Sequence, residues 1–262
     1  MRQDASPLIS VVILTWNSAS FVEDCIASLL KDLDRAGVPA EVFVVDNGSR
    51  DATCSKLQRM QRDCQEMVII ELEDNLGTTR SRNMALARAT GHYVLFLDSD
   101  TVVSPGTVST LLGVMNSDPS VGIVAPRLVY PNGTVQTSCK RLPTAAIKLM
   151  KFSRLPFLRQ CAEKQELYSP SLYRAQFGAP AEVDYCIAAT WLVRRQALEN
   201  VGLFDEKISY APEDVDYCLR MWLAGWKVVY SPMTTVVHHA RRQSYQDPVL
   251  AWQHARLSLI HI

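Results

Sequence analysis

The stretch YVLFLDSD, residues 93–100, decides the fold: an apolar run ends in two carboxylates, Asp98 and Asp100, separated by Ser99. A short continuous apolar run predicts a buried strand, and in open α/β sheets ligands bind just beyond the carboxyl ends of such strands. Asp98 and Asp100 therefore stand where a divalent cation can be held, because hard cations take oxygen ligands and can bridge phosphate oxygens. Asp and Ser also favour turns after any strand, so the pair acquires meaning only from its neighbours in sequence.

Outward from this run, strands and helices alternate. ISVVIL (9–14), EVFVV (41–45) and MVIIEL (67–72) predict strands. Ser20-Phe-Val-Glu23 has the spacing of a capping box opening a helix that ends near Gly37. Further helices are predicted over 51–60 and 79–89, and Ser104-Pro105 caps another. The alternation predicts an α/β fold with a mostly parallel central sheet, right-handed crossovers and flanking helices. Loops Thr15-Trp16-Asn17, Asp46-Asn47-Gly48-Ser49 and Asp98-Ser99-Asp100 should then open on one edge. Carboxylates at equivalent strand ends, Asp46 and Asp98, suit the N–H and O–H donors of a nucleoside, and Asp46-Asn-Gly is equally good turn chemistry. No Gly-x-Gly-x-x-Gly follows the first strand and no Gly-Lys-Ser/Thr occurs, so phosphates require a metal and arginines instead. Arg80 and Arg82 are candidates.

In the second half, VGIVAPRLVY and the turn at Pro131-Asn-Gly133 predict a hairpin. Residues 140–160 carry six basic side chains and no acid among apolar residues. Such a segment either packs as an ordinary surface excursion or makes peripheral contact with anionic lipid or a lipid-linked substrate. An apolar strand is predicted over 182–194. Glu213 and Asp214 open a helix with an apolar stripe at Val215, Cys218, Leu219 and Trp222, where the helix dipole by itself favours acids. The strand KVVYSPMTTVVHH ends in His238 and His239, which point to opposite faces, so at most one reaches the Asp pair.

A chain of 262 residues, 48% of them hydrophobic, can bury the core of a single large α/β domain. Twenty-seven basic residues balance 27 acidic ones, which argues against nucleic acid as a partner. Seven scattered cysteines without a Cys-x-x-Cys pair read as reduced thiols. With no signal peptide and no apolar run long enough to span a bilayer, the expectation is a cytoplasmic protein, peripheral at the inner face of the cell membrane. An apolar helix over 247–262, cut short or used for homodimer pairing or membrane contact, is expected at the end.

Taken together, ISVVILTWN, VVDNGSRDAT, NLGTTRSRN, LFLDSD, WLVRRQALENVGLFDE, PEDVDYCLRMWLAGWKVVYSP and VVHH resemble a GT-A fold glycosyltransferase of family two, over nearly all of 9–244. The closest flavour is that of bacterial rhamnosyltransferase-like and galactofuranosyltransferase-like members. The resemblance implies one GT-A catalytic domain over 1–262, with a Rossmann-like nucleotide-sugar-binding half (8–126) and an acceptor-binding half (127–246). It implies inverting, metal-dependent transfer from a nucleotide diphosphate sugar to a glycan or lipid-linked acceptor in surface polysaccharide or cell-wall glycan synthesis. Thr15, Asn17 and Asp46 would contact the nucleoside, with Asn75, Gly77 and Ser99 also on the donor and Arg82 near the diphosphate. Asp98 would meet the ribose or the metal, Asp100 and His238 would hold Mg2+ or Mn2+, and Asp214 would be the base with Glu213 orienting. Ala188-Ala-Thr-Trp191 and Ser209-Tyr-Ala-Pro212 depart from the family pattern near the acceptor pocket, where Trp191 stands. A nucleotidyltransferase acting on a sugar phosphate would need a glycine-rich basic signature near the first strand, which is absent. A nucleotide-sugar-binding module without turnover need not keep Glu213-Asp214 together with the histidines.

Overall fold

A computed structural model describes residues 7–64, 66–153, 155–174 and 178–241; the helix expected over 247–262 lies outside the described residues. The decisive run forms β4 (Tyr93–Asp98), parallel to β1 (Ile9–Thr15) on one side. β1 pairs in turn with β2 (Ala40–Asp46), and β2 with β3 (Met67–Glu71), all in parallel. Being interior explains the unbroken apolar run, because both faces of β4 are covered. Val94 and Phe96 enter one core layer with Trp191 and Tyr217, while Leu95 and Leu97 enter the other with Ile13 and Leu29.

Helices α1 (Val22–Ala36), α2 (Thr53–Asp63) and α3 (Thr78–Leu86) form the crossovers. Helix α1 buries Val22, Cys25, Ile26, Leu29 and Leu33, one stripe at helical spacing, and stops at left-handed Gly37. The capping box does not form: Phe21 is the N-cap, and Glu23 instead pairs with Lys56 and Arg59 of α2. After the short β5 (Thr101–Val103), α4 (Thr107–Ser117) is likewise not capped by Ser104. Buried Asp32 reaches across from α1 to accept from the amides of Gly106 and Val108, at 2.5 and 2.8 Å. A tertiary carboxylate satisfies the free helix-end donors that the local residue was expected to take.

Beyond β4 the sheet becomes mixed. β6 (Val121–Val129) crosses the expected boundary at 126, so both halves share one sheet. The predicted hairpin shrinks to a tight turn and the single bridge Val129 to Val135. Next come β7 (Cys139–Lys140), α5 (Ala145–Phe152), α6 (Pro156–Glu166) and α7 (Pro170–Arg174). The strand expected over 182–194 breaks into β8 (Ala181–Glu182), β9 (Tyr185–Cys186) and β10 (Thr190–Arg194). Helices α8 (Arg195–Val201) and α9 (Glu213–Leu223) precede the last strand, β11 (Lys227–His238). The sheet order is β3-β2-β1-β4-β10-β6-β11-β5, with β8 beside β11 and β10 antiparallel to both its neighbours. No helix among the described residues is long and apolar enough to cross a membrane.

Candidate active site

The register of the first three paired strands makes the functional edge. Leu14 lies opposite Asp98 and Thr15 opposite Asp46, so the loops leaving β1, β2 and β4 start level. They open on a cleft of about 950 Å³ whose wall includes Asn75, Gly77, Arg82, Asp98, Ser99, Asp100, Glu213, Asp214 and His238. The loop before α9 is fastened there by Gly77. Its φ is 85°, and an added Cβ would overlap the carbonyl of Ser209, which accepts from the Thr78 amide at 2.6 Å. Close backbone approach therefore brings Glu213 and Asp214 to an edge built some 120 residues earlier, and Thr79 adds a bond to the Ile208 carbonyl at 2.7 Å.

Asp98, Asp100 and His238 present ligand atoms that all lie within 4.8 Å of one another. His238 Nε2 is 3.6 Å from Asp100 Oδ1. The tautomer follows from Gln136. Its amide nitrogen donates to the His238 carbonyl at 2.6 Å, so its oxygen faces Nδ1 at 2.9 Å and takes the proton there. Nε2 is left toward the carboxylates, the arrangement in which an outer-shell partner orients a metal-binding imidazole. Two carboxylates and one imidazole fit a divalent cation such as Mn2+ or Mg2+ in chemistry and spacing. His239 is turned away and packs on Phe21, ring centroids 4.7 Å apart.

Arg82 joins the acids of the cleft from below. Only 2% exposed, it donates from Nη2 to Asp98 at 2.8 Å and to the Ala188 carbonyl at 3.1 Å, with Nη1 3.6 Å from Glu213. It is the buried counter-ion of two carboxylates and lines the cleft; Arg80 is exposed. Burial raises the Asp98 carboxyl above its ordinary range against the pull of Arg82. Burial and the neighbouring Asp214 push Glu213 up to about 7, and burial also raises Asp214. Asp214 Oδ1 accepts from the Val215 amide at 2.8 Å, which fixes its carboxylate at the head of α9.

A folded-state pKa raised from 4.5 to about 7 means that the protein loses stability as pH climbs through that window, because ionised Glu213 is disfavoured only in the folded state. Below the unfolded value the carboxyl is protonated in both states. Glu213→Gln is therefore expected to raise Tm at pH 8 and leave it nearly unchanged at pH 4.5. Thermal melts across that range check this, and a pH-independent difference would contradict the raised pKa.

Four sequence-predicted residues do not reach the cleft wall. Trp191 is fully buried and stacks near Tyr217, 6.2 Å between centroids, so it is a core side chain and not an acceptor contact. Asp46, 1% exposed, accepts from the Ser49 amide and hydroxyl and from the Cys54 thiol, consuming its oxygens in its own turn. Thr15 is 1% exposed, beneath the edge. Asn17, in left-handed backbone, accepts from the Arg50 amide at 2.8 Å. Asn47 takes over on this side: it accepts from Leu76 and Ser81 and donates to Asn75, binding two loops at the cleft wall.

Sequence reasoning missed Gln136 and Arg241 and assigned Lys140 only to the basic surface segment; all three line the cleft. Arg241 holds the carbonyls of Asn17 and Trp16, at 2.6 and 2.9 Å, with Nε 3.8 Å from Asp100. No local motif marks any of them. Only the alternation along 135–137, which turns Gln136 opposite to its neighbours, carried a usable signal.

Comparison with known proteins agrees with this geometry. The profile of glycosyl transferase family 2 matches residues 10–202. The N-acetylglucosaminyl-diphospho-decaprenol L-rhamnosyltransferase of Mycobacterium tuberculosis is 28% identical, over 92% of this chain and 79% of its own length. The pre-mycofactocin glycosyltransferase of the same organism is 31% identical over 90% of this chain, which spans only 43% of that protein. Among solved structures, GalNAc-T7 with UDP, GalNAc and Mn2+ superposes with a TM-score of 0.67 at 16% identity, covering 90% of this chain and 44% of its own. The mannosyltransferase PcManGT of Pyrobaculum calidifontis, with GDP-Man and Mn2+, gives 0.63 at 20%, covering 98% and 63%. The likeness to both structures is one of fold. With a profile match across most of its length and the GT-A arrangement of sheet and helices, the chain belongs to glycosyl transferase family 2 and is a glycosyltransferase.

Proposed function

We propose that the protein moves a sugar, with inversion, from a nucleotide diphosphate sugar to an acceptor hydroxyl, with Asp98, Asp100 and His238 holding Mn2+ or Mg2+ and Asp214 as general base. The observation that carries this reading is the convergence of that trio with Glu213 and Asp214 on one cleft. Residues 8–126 would supply the donor side and 127–246 the acceptor side of one catalytic domain.

Asp214 takes the proton of the acceptor hydroxyl as its oxygen attacks the anomeric carbon. The anomeric C–O bond breaks on the opposite face and its electron pair leaves with the nucleotide diphosphate, so a single displacement inverts the centre. A bound divalent cation supplies Lewis acidity toward the departing diphosphate. Lys140 and Arg241, on the cleft wall, would offset the negative charge that grows on the departing diphosphate. Glu213 faces Arg82, which leaves Asp214 as the acid available to the acceptor.

Support for the substrate comes from the mycobacterial relative, named as an L-rhamnosyltransferase acting on N-acetylglucosaminyl-diphospho-decaprenol. We therefore assign a role in bacterial surface polysaccharide or cell-wall glycan synthesis with a lipid-linked acceptor, at the inner face of the membrane. Calorimetry with UDP, dTDP and GDP, with and without Mn2+, tests the donor site. One nucleotide is expected to bind tightly only with the metal. Gln136→Leu is expected to weaken Mn2+ binding by about 10–100-fold while the fold persists. Metal-independent nucleotide binding, or an unchanged Mn2+ affinity, would count against the trio.

The membrane reading rests on α5, α6 and the N-cap of α6, which expose Leu149, Phe157 and Leu155 beside Arg159 and Lys151, the latter paired with Glu166. Apolar side chains flanked by cations suit an anionic interface. Co-sedimentation with phosphatidylglycerol vesicles is expected to fall roughly tenfold in the Leu149→Glu, Phe157→Glu double variant. Equal binding by the variant removes this surface from the account.

A further inference from the structure

Behind the wall of the cleft lies a second cavity of about 490 Å³, within the range of small-molecule sites. Its lining is largely apolar: Val129, Val135, Leu167, Pro170 and Tyr173, with Arg127 as its cation. The two spaces are divided by one extended segment. Val135 and Thr137 face the cavity while Gln136 between them faces the cleft, the alternation expected of extended chain. Thr137 lines both, so cavity and cleft adjoin there. The bridge between Lys140, on the cleft wall, and Leu167, on the cavity wall, joins them a second time.

The walls are braced rather than loosely packed. Tyr173 donates to the Cys139 carbonyl at 2.6 Å, and Tyr168 to Asp184 at 2.7 Å. Arg127 is held by Thr235 Oγ1, at 3.2 Å from Nε and 2.8 Å from Nη2. Yet Val135 and Leu167 remain 37% and 39% exposed. An apolar lining held in place, open to solvent, beside a cation and adjoining a transfer cleft fits one class of occupant.

We propose that this cavity is a subsite for the hydrocarbon chain of the acceptor, with the phosphate that carries the chain set toward Arg127. The proposal rests on the transfer reading of the cleft, which places the acceptor on that side. The test titrates butyl, hexyl and octyl phosphate into the full chain, alongside the nucleotide that binds with Mn2+. Affinity is expected to rise with chain length, by up to about fourfold for each methylene wholly buried. Val135→Trp and Leu167→Trp, which fill the mouth, are expected to weaken octyl phosphate at least about tenfold and leave nucleotide affinity unchanged. Chain-length independence in the unmodified protein overturns the proposal. So does octyl phosphate binding undiminished in both filled variants, which would put the chain on the exposed α5 and α6 surface instead. Loss of nucleotide binding with the chain-length series intact strikes the donor reading alone.

Discussion

Asp214→Asn is expected to reduce transfer by about 100–10,000-fold, the range that a positioned general base supplies, while Mn2+-dependent nucleotide binding stays within a factor of about two. The amide keeps the shape and the bond from the Val215 amide but cannot accept the acceptor's proton. Separating the two readouts is what makes the prediction sharp. A structural role for Asp214 at the head of α9 would lower Tm and nucleotide affinity together. A base would lose turnover alone, and hydrolysis of the donor by water, which needs the same proton removed, should fall in step. Lost nucleotide affinity with transfer intact would falsify the assignment.

Arg82→Met is expected to be the most damaging substitution for stability, costing about 3–5 kcal/mol, because removing one partner of a buried ion pair strands the other. Here two carboxylates are stranded, Asp98 and Glu213, together with the Ala188 carbonyl. The loss should shrink at lower pH. Glu213 already sits near pH 7, and without the guanidinium both acids protonate more readily, so the variant pays less at pH 5.5 than at pH 8. Denaturant melts at the two pH values check the sign. A deficit that is equal at both would mean that Arg82 acts through packing against Phe96 and Phe204, 5.8 Å from each ring, and not through charge. Arg82→Lys should recover part of the stability, since a point charge can reach one carboxylate but cannot also span to the second.

Most strands were legible because burial writes itself into hydropathy. The unbroken run of β4 announced an interior strand, and the polar residues closing β1, β2 and β4 announced a common edge. Caps were less legible. Ser20-Phe-Val-Glu23 and Ser104-Pro105 have good local chemistry, yet Lys56 and Arg59 claim Glu23, and Asp32 supplies α4 from another helix. A local preference of about 1 kcal/mol yields readily to tertiary contacts of similar size. The strand expected over 182–194 broke because its parts take different partners: β8 pairs with β11, β9 with β7, and β10 between β4 and β6.

The amino-acid order alone determined the α/β alternation and the position of the Asp98–Asp100 pair at a strand end, and it offered Glu213, Asp214 and His238 as candidates. Folding decided what each side chain has left to offer. Asp46 and Trp191 are equally suggestive in sequence, but one is consumed by its own turn and the other by the core. Gln136, Lys140 and Arg241 carry no motif, yet long-range pairing sets them around the cleft. Hydropathy and turn preference are properties of neighbouring residues, whereas counter-ions and tautomers are set by residues that the fold brings together from well apart in the chain, as with Gln136 and His238, 102 positions apart.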